Sequence, residues 1–351
     1  MKKIYVHLMP ESMYIRTIAT MSKTVSLFLL VLSGILFFTR CSNDVDLYAD
    51  YKEITIVYGL LDIDDDTTWI KITKAFTGPG NALIMAQNPD SSNYPYKLDA
   101  KLIGIKNGNE QDPIQLDTMT IYSKNEGDSV FYYPKQLMYY TTENMDVDAV
   151  YSLIVNTKEN EITSEAPMIG GFGLSYPYNT IDFVNDHAIK WNSVKNGKRY
   201  EVTTIFHYQE YLPGTYDDTL NLSIEIESIY ANPVKVSNDL EGGEALELRY
   251  AGDKFFAELD SELEKTANIQ RWSGMVDVVI SAGSEVLHYY IEINNSVEGS
   301  LLQELPQYTN IHNGTGIFAS RHSVVKSVPL SGFTERKLVE DYNLGFKYKT
   351  K

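Results

Sequence analysis

From residue 51 onward, apolar and polar residues alternate in short segments separated by turn residues, and this pattern constrains the fold most. A period of two is that of a β-strand, whose side chains point alternately to the two faces of a sheet. Many short strands punctuated by Gly, Pro and Asn favour an all-β architecture. The pattern predicts strands at 51–61, 68–76, 98–106, 114–122, 130–133, 151–156, 189–191, 200–211, 219–229, 274–281 and 286–293.

Two segments have helical rather than strand character. Residues 82–87 (ALIMAQ) predict one or two helical turns that end at Asn88-Pro89. Residues 253–267 predict an amphipathic helix because three apolar side chains recur at helical spacing, namely Phe256, Leu259 and Leu263.

Two turns are predicted from residue type. Asn107 and Gly108 follow the strand at 98–106, and both tolerate the positive φ that a type I′ hairpin turn requires. Residues 282–284 (Ala-Gly-Ser) are predicted to form a tight hairpin between the strands at 274–281 and 286–293.

A segment rich in Pro and Gly, Ser164 to Leu174, interrupts the alternation and predicts a domain boundary. The sequence is therefore interpreted as an N-terminal β-sandwich at 51–165, a linker at 166–174 and a C-terminal β domain at 175–351. The second domain contains the inserted helix near 253–267. The predicted fold class is mostly β, with two immunoglobulin- or fibronectin III-like sandwiches.

Two aromatic residues are candidates for structural roles in such sandwiches. Tyr151 lies near the start of the segment 147–155, where a corner tyrosine bonds back to the backbone in immunoglobulin-like domains. Ordinary core packing is the alternative for Tyr151. Trp191 stands in a pattern similar to the second strand of a fibronectin III domain, where it would be buried.

The apolar run from Val25 to Phe38 is shorter than the ~20 residues that a helix needs to cross a bilayer. Lys23 supplies a positive charge before it and a polar segment follows, which is the layout of a secretory signal peptide. We therefore interpret residues 1–40 as a signal peptide, with Met21 as the predicted true start of translation.

The only cysteine, Cys41, comes just after this run and resembles the lipidated cysteine of bacterial lipoproteins. Arg40 stands where the usual lipoprotein signal has a small residue. The resemblance predicts lipidation of Cys41 and a tether at 41–50, so that the acyl chains anchor the protein to a membrane. The alternative is an unmodified thiol behind an ordinary signal peptide or an uncleaved anchor.

The chain carries a formal net charge of −17, and loss of residues 1–40 would make it more acidic still. Such a charge repels the phosphates of nucleic acids, and no basic run offsets it. Nucleic acid is therefore not expected as a partner.

Signals for chemistry are few. Asp62, Asp64, Asp65 and Asp66 form a loop of carboxylates that resembles a weak Ca²⁺ site, although a solvated acidic loop is the alternative. The histidines are scattered without a paired metal spacing, and no GxSxG nucleophile motif is present. No catalytic residue, metal or cofactor is predicted, and the protein is not expected to be an enzyme.

The segment 308–326 (YTNIHNGTGIFASRHSVVK) contains the most family-specific sequence motif of the chain. Its Asn- and Gly-rich turn resembles the closing motif of the Bacteroidetes outer-membrane lipoproteins grouped as DUF4249. Gly314 and Gly316 are predicted to serve turn geometry, or alternatively to lie in a ligand-contacting loop. The resemblance implies an outer-membrane protein that is anchored by a lipid and can be exposed at the cell surface. It also implies an association with TonB-dependent transporters.

These observations lead to one main functional hypothesis and two alternatives. The first is a non-enzymatic accessory protein that binds a TonB-dependent outer-membrane transporter through loops and exposed Tyr residues. The second is a fimbria-like or adhesive structural subunit. The third, a glycan hydrolase, would need two carboxylates ~5–10 Å apart across a cleft.

Overall fold

A computed structural model of the protein describes residues 54–75, 82–122, 135–216, 218–297 and 308–349. The predicted signal peptide, the tether with Cys41 and the predicted strand at 130–133 lie outside these residues. Residues 51–351 form one compact unit. No helix in the described ranges has both the length and the apolar character that crossing a bilayer requires.

The described part of the chain is mostly β, as the alternation predicts. The strands are β1 (Ile54–Leu61), β2 (Thr68–Ala75), β3 (Asp99–Lys106), β4 (Asn109–Glu110), β5 (Ile114–Gln115), β6 (Asp117–Ile121), β7 (Gln136–Thr141), β8 (Val150–Asn156), β9 (Glu161–Pro167), β10 (Leu174–Tyr176), β11 (His187–Asn192), β12 (Arg199–Tyr211), β13 (Leu220–Glu225), β14 (Val234–Val236), β15 (Ala245–Tyr250), β16 (Gln270–Gly283) and β17 (Gly314–Pro329). The helices are α1 (Ala82–Ala86), α2 (Pro89–Ser92), α3 (Gly252–Glu262), α4 (Glu285–Val297) and α5 (Gly332–Glu340).

The strands form three sheets. The nine-stranded sheet has the order β13-β12-β16-β17-β1-β2-β7-β6, with β14 also paired to β12. A five-stranded sheet has the order β4-β3-β8-β9, with β5 also paired to β3, and a three-stranded sheet has the order β10-β11-β15. The nine-stranded sheet therefore contains strands from both sides of the predicted linker.

Two hydrophobic clusters of buried side chains divide near that linker. The first core lies between β1, β2 and β7 of the nine-stranded sheet and β3, β8 and β9 of the five-stranded sheet. The second core begins at Ile169 and lies between β12, β16 and β17, the strands β11 and β15, and the helices α3 and α5. Apart from Ile311 and Phe318, which belong to the first core, the buried apolar side chains divide at 168–169, whereas the backbone hydrogen bonds of the nine-stranded sheet do not.

Strand β17 joins the two halves by changing its partner. Its residues Gly314–Ser320 pair in parallel with β1, and its residues Arg321–Pro329 pair antiparallel with β16. Phe318 belongs to the first core and Val328 to the second. One strand of 16 residues therefore supplies buried side chains to both cores.

One of the two turn predictions agrees with the backbone. Asn107 and Gly108 have φ of 53° and 77°, and they connect β3 to β4 as the predicted hairpin turn. Residues 82–87 contain the short helix α1, and the predicted helix near 253–267 is present but ends at Glu262 as α3. Phe256, Leu259 and Leu263 are buried in the second core, as their spacing predicts.

The predicted strand at 286–293 is wrong, because residues 285–297 form the helix α4. The preceding residues 282–284 are not a hairpin: Ser284 accepts a hydrogen bond at its carbonyl oxygen from the backbone N–H of His288, which is the first turn of the helix. On the strands opposite, Tyr58 interacts with Tyr290, and Arg199 donates a hydrogen bond to Glu292. Tyr58 and Arg199 alternate with core residues, so α4 covers the face of the nine-stranded sheet opposite the cores.

Candidate functional site

The acidic loop that the sequence singles out lies between β1 and β2 and is closed by a distant histidine. Asp62 follows the last residue of β1, and its carboxylate oxygen Oδ1 is 3.2 Å from Nδ1 of His322 in β17. The carboxylate oxygen Oδ2 of Asp64 is 3.7 Å from the same nitrogen. The three donor atoms lie within 4.8 Å of one another. We call these three residues the Asp-Asp-His cluster.

Burial differs strongly across the Asp-Asp-His cluster. The side chains of His322 and Asp62 are 5% and 8% exposed, whereas that of Asp64 is 72% exposed. The cluster is therefore sealed on the side of the protein interior and open to solvent at Asp64.

The surroundings of the cluster follow from the place where β17 changes partner. Ser320 and His322 lie on the core side of β17, between Phe318 of the first core and Val328 of the second. Ser320 donates a hydrogen bond from Oγ to the carbonyl oxygen of Pro167. The ring of Phe172 meets that of His322 edge-on, with centroids 6.0 Å apart. The segment predicted as a linker therefore packs against the cluster.

Arg321 places a positive charge beside Asp62 of the cluster. Nε of Arg321 is 3.5 Å from Oδ2 of Asp62, and the Arg321 side chain is half exposed. The backbone N–H of Asp64 also donates to Oδ1 of Asp62 at 3.3 Å. Arg321 therefore contacts the buried carboxylate of Asp62, whereas the carboxylate of Asp64 lies toward His322.

The structure changes the chemistry of the predicted Ca²⁺ site. Asp62 and Asp64 come together, whereas Asp65 and Asp66, which are exposed, do not join the cluster. Ca²⁺ takes six to eight oxygen ligands, whereas an imidazole nitrogen suits Zn²⁺ and carboxylate oxygens also suit Mn²⁺. Sequence reasoning missed His322 because it lies 260 positions from Asp62 in the chain, and no spacing rule connects them.

The four residues predicted to have structural roles do not belong to the Asp-Asp-His cluster. Oη of Tyr151 accepts a hydrogen bond from the backbone N–H of Asp146 at 2.7 Å, which is the geometry of a corner tyrosine. Burial raises the pKa of the Tyr151 phenol, so it stays neutral at physiological pH. Trp191 is fully buried in the second core. Gly314 and Gly316 lie against β1 in the parallel pairing with β17.

A second corner tyrosine was not predicted. Oη of Tyr200 accepts from the backbone N–H of Val194 at 2.8 Å, and its ring packs at 5.8 Å from that of Trp191. The signal available in the sequence was the turn Asn196-Gly197 directly before Tyr200. Asn196 has φ of 66°, and Gly197 leaves room for the phenol.

The remaining described histidines do not assemble into a second cluster. His207 approaches Asp277 at 2.8 Å on the exposed side of β12 and β16, and His187 is 3.9 Å from Asp182. His288 is held in a partly buried position on α4, where burial lowers its pKa. In the described ranges, Asp62, Asp64 and His322 form the one group with metal-ligand geometry.

A separate feature is a surface on the strands β1, β2, β7 and β6, where exposed aromatic and apolar side chains share one sheet face with Lys71 and Asp117. Trp69 pairs with Tyr140, whose ring centroid is 5.1 Å away, and Met119 pairs with Met138. Paired residues project to the same face of a sheet. We call this surface the aromatic face and define it by its side chains on the side away from the first core: Tyr58, Trp69, Met119, Ile121, Met138 and Tyr140.

Several side chains of the aromatic face are well exposed. The exposed fractions are 42% for Tyr58, 36% for Trp69, 47% for Met119 and 37% for Ile121. Helix α4 borders the face through the contact between Tyr58 and Tyr290. The face therefore presents aromatic and methionine side chains to solvent next to a helix.

An open polar groove of about 550 Å³ adjoins the aromatic face at Tyr140. It lies where the chain crosses from the five-stranded sheet to β6. Its carboxylates come from Asp112, Asp117 and Glu143, and amide groups come from Gln111 and Gln115. The groove combines hydrogen-bonding groups with an adjacent aromatic ring.

Comparisons with known proteins give no further guide to the site. No protein-family model matches the chain, and no curated protein matches it significantly.

Proposed function

We propose that this protein is a non-enzymatic binding protein of the cell envelope, anchored to the outer membrane by a lipid on Cys41. In this proposal it acts as an accessory protein that docks on a TonB-dependent outer-membrane transporter. The anchor and the partner rest on the resemblance of Cys41 to the lipidated cysteine of bacterial lipoproteins and of residues 308–326 to the closing motif of outer-membrane lipoproteins. The docking surface is the aromatic face.

The observation that carries this proposal is the exposure of the aromatic face. Tyr, Trp and Met are enriched in the buried centres of protein–protein interfaces, whereas Lys, Glu and Asp are depleted there. A contiguous apolar patch on the surface of a soluble domain marks an interaction site more often than an isolated exposed residue does. Trp69 and Tyr140, which contact each other at the middle of the face, are the expected anchors.

The arrangement of the cores is consistent with a protein built for binding. Each core lies between two sheets, and Tyr151 and Tyr200 both have corner-tyrosine geometry. We therefore assign each half to the immunoglobulin- or fibronectin III-like class of sandwiches as part of this proposal. Such scaffolds present flat sheet faces and loops to their partners.

The test is recovery of partners from envelopes that express the tagged full-length protein. The variant carries Trp69→Ser and Met119→Ser, which remove one of the two expected anchors and the exposed methionine of β6. Chemical crosslinking, purification in detergent and mass spectrometry then identify the proteins that copurify. We expect a TonB-dependent transporter with the wild type and at least a tenfold lower yield of it with the variant.

The matched control carries Tyr178→Ser and Phe333→Ser. These side chains are 71% and 69% exposed and lie outside the aromatic face, so the control removes more exposed side-chain surface than the variant does. Equal loss of the transporter in both variants, or no transporter with the wild type, would contradict the proposal. The mature N-terminus from the same sample tests lipidation of Cys41.

A glycan-directed activity is the second candidate, and the polar groove favours it. Three carboxylates and two amides lie beside the partly exposed ring of Tyr140, which contacts Trp69, and such a lining can bind a sugar by stacking and hydrogen bonds. Incubation of the purified protein with a panel of glycans separates this candidate from the first. Turnover that Glu143→Gln abolishes would favour it.

A further inference from the structure

We propose that Asp62, Asp64 and His322 form a binding site for a divalent transition-metal ion of the Zn²⁺ or Mn²⁺ type. The site is independent of the docking function proposed above, because the aromatic face lies on the opposite side of the nine-stranded sheet from His322. It replaces the all-oxygen Ca²⁺ loop that the sequence suggests. The ligands come from the β1–β2 loop and from β17.

The distances between donor atoms match those around such an ion. Metal–ligand bonds of about 2.1 Å, at angles between 90° and 120°, place neighbouring donors roughly 3.0–3.6 Å apart. The two carboxylate oxygens lie 3.2 and 3.7 Å from Nδ1 of His322. Both carboxylate oxygens are thus near ligand spacing from the imidazole nitrogen, and the three donors lie within 4.8 Å of one another. Water would complete the coordination.

Nδ1 of His322 faces two carboxylate oxygens, although it can donate at most one hydrogen bond. Nδ1 of a neutral histidine carries at most one hydrogen, and each carboxylate oxygen is an acceptor. Only the contact with Asp62 is within hydrogen-bond distance, so the Asp64 oxygen at 3.7 Å points toward the same nitrogen without a bond. A cation between the three atoms would bond to all of them at once.

His322 makes this arrangement different from an ordinary acidic loop. Its side chain is 95% removed from solvent, and its Nδ1 is turned toward the two carboxylates although the loop is distant in sequence. A surface cluster of aspartates alone would contain no buried imidazole that faces the carboxylates. Phe172 packs on its ring and limits its rotation.

The cluster also has a path for an ion and a consequence for the fold. Asp64 is open to solvent, so an ion can enter without movement of the core. A bound ion would connect the β1–β2 loop to β17 at the position where β17 changes from β1 to β16. Because a ligand that binds only the folded state stabilises it, metal binding is expected to raise the melting temperature.

The experiment measures the melting temperature of the metal-depleted full-length protein with Zn²⁺, Mn²⁺ or Ca²⁺ added. At about a hundred times the dissociation constant, we expect a rise of roughly 5 °C with Zn²⁺ or Mn²⁺ and less than about a third of that with Ca²⁺. Asp64→Ala removes the exposed ligand and leaves the buried pair of Asp62 and His322 intact, so folding is preserved. The shift should disappear in this variant.

Asp65→Ala is the matched control, because it removes the same charge from the same loop without touching the cluster. We expect its metal shift to equal that of the wild type. As a direct readout, electron spin echo modulation of bound Mn²⁺ should contain the nitrogen signal of one imidazole. No shift with the wild type, equal shifts in Asp64→Ala and Asp65→Ala, or no imidazole signal would overturn the proposal.

Discussion

Among the described glycines, Gly316 is the one at which a side chain would fit least well. Its φ is 109°, and a Cβ there would overlap the backbone of Val57 in the adjacent strand β1. A positive φ of this kind is accessible mainly to glycine. The sequence predicts a turn role for Gly316, and the structure places it at the parallel pairing of β17 with β1.

We predict that Gly316→Ala lowers the free energy of unfolding by about 3 kcal/mol or more, because backbone strain and steric overlap act together. Urea denaturation followed by tyrosine and tryptophan fluorescence measures the change. Gly171→Ala is the control, since a Cβ at Gly171 meets nothing within 4 Å. Equal stability of the two variants would contradict the steric account.

Asp146 donates its backbone N–H to the corner tyrosine Tyr151, and its carboxylate contributes to the pH dependence of stability. The backbone N–H of Asp148 donates to its carboxylate, and Lys106 and Gln111 bind the same group, so the pKa of Asp146 is lowered. A carboxyl whose folded-state pKa is lowered adds stability above its unfolded value, and this contribution is lost as the pH falls through the folded value.

We therefore predict that Asp146→Asn reduces the dependence of the unfolding free energy on pH below about pH 4, the unfolded value for aspartate. At neutral pH the variant should be the less stable protein, and the two proteins should converge in acid. Urea titrations at several pH values between 2 and 7 measure this. A wild-type slope that the substitution leaves unchanged would contradict the assignment.

At the scale of elements, α4 illustrates where residue pattern misleads. Residues 286–293 are rich in Val, Ile and Tyr, which favour strands, yet they are helical. The helix covers the outer face of the nine-stranded sheet and packs on β12, β16 and β17. The available signal was Ser284 followed by Glu285, a typical helix start, but only tertiary packing selects the helix over a strand.

Arg271 shows how a single element is held at its start. The guanidinium at the beginning of β16 is 1% exposed and pairs with Glu210 of β12 at 2.7 Å. It also donates to the carbonyl oxygens of Leu344 and Glu264. One side chain thus ties β16 to β12, to the segment after α3 and to the C-terminal segment.

We predict that Arg271→Met lowers the free energy of unfolding by about 3 kcal/mol, because Glu210, whose side chain is 14% exposed, loses its opposite charge and keeps only the hydrogen bond from Tyr216. The control Arg249→Met removes a guanidinium that is 79% exposed beside Glu247, and about 0–1 kcal/mol is expected there. Chemical denaturation of both variants tests the difference. Similar small losses would mean that the buried pair contributes no more than a surface pair.

At the scale of the whole molecule, the two halves depend unequally on β17. The first core contains Phe318 and Ile311, which come from the C-terminal third of the chain. The second core contains only residues from 169 onward. The first half therefore lacks part of its core and the partner of β1 until the end of the chain is present.

This asymmetry predicts that residues 169–349 fold alone and that residues 51–168 do not. The two fragments can be compared with the full chain by the dispersion of amide signals in heteronuclear NMR spectra. We expect a dispersed spectrum for 169–349 and a narrow one for 51–168. A well-dispersed spectrum of 51–168 would show that β17 is dispensable for the first core.

Local sequence patterns were enough to predict the β-rich class, the turn at Asn107-Gly108 and the amphipathic helix near 253–267, which the structure has at Gly252–Glu262. These features depend on local alternation, helical spacing and turn chemistry, which neighbouring residues carry. The folded structure was needed to show that β17 serves both halves, that 285–297 is helical, and that His322 meets Asp62 and Asp64. Those outcomes depend on contacts between residues far apart in the chain, which no local pattern encodes.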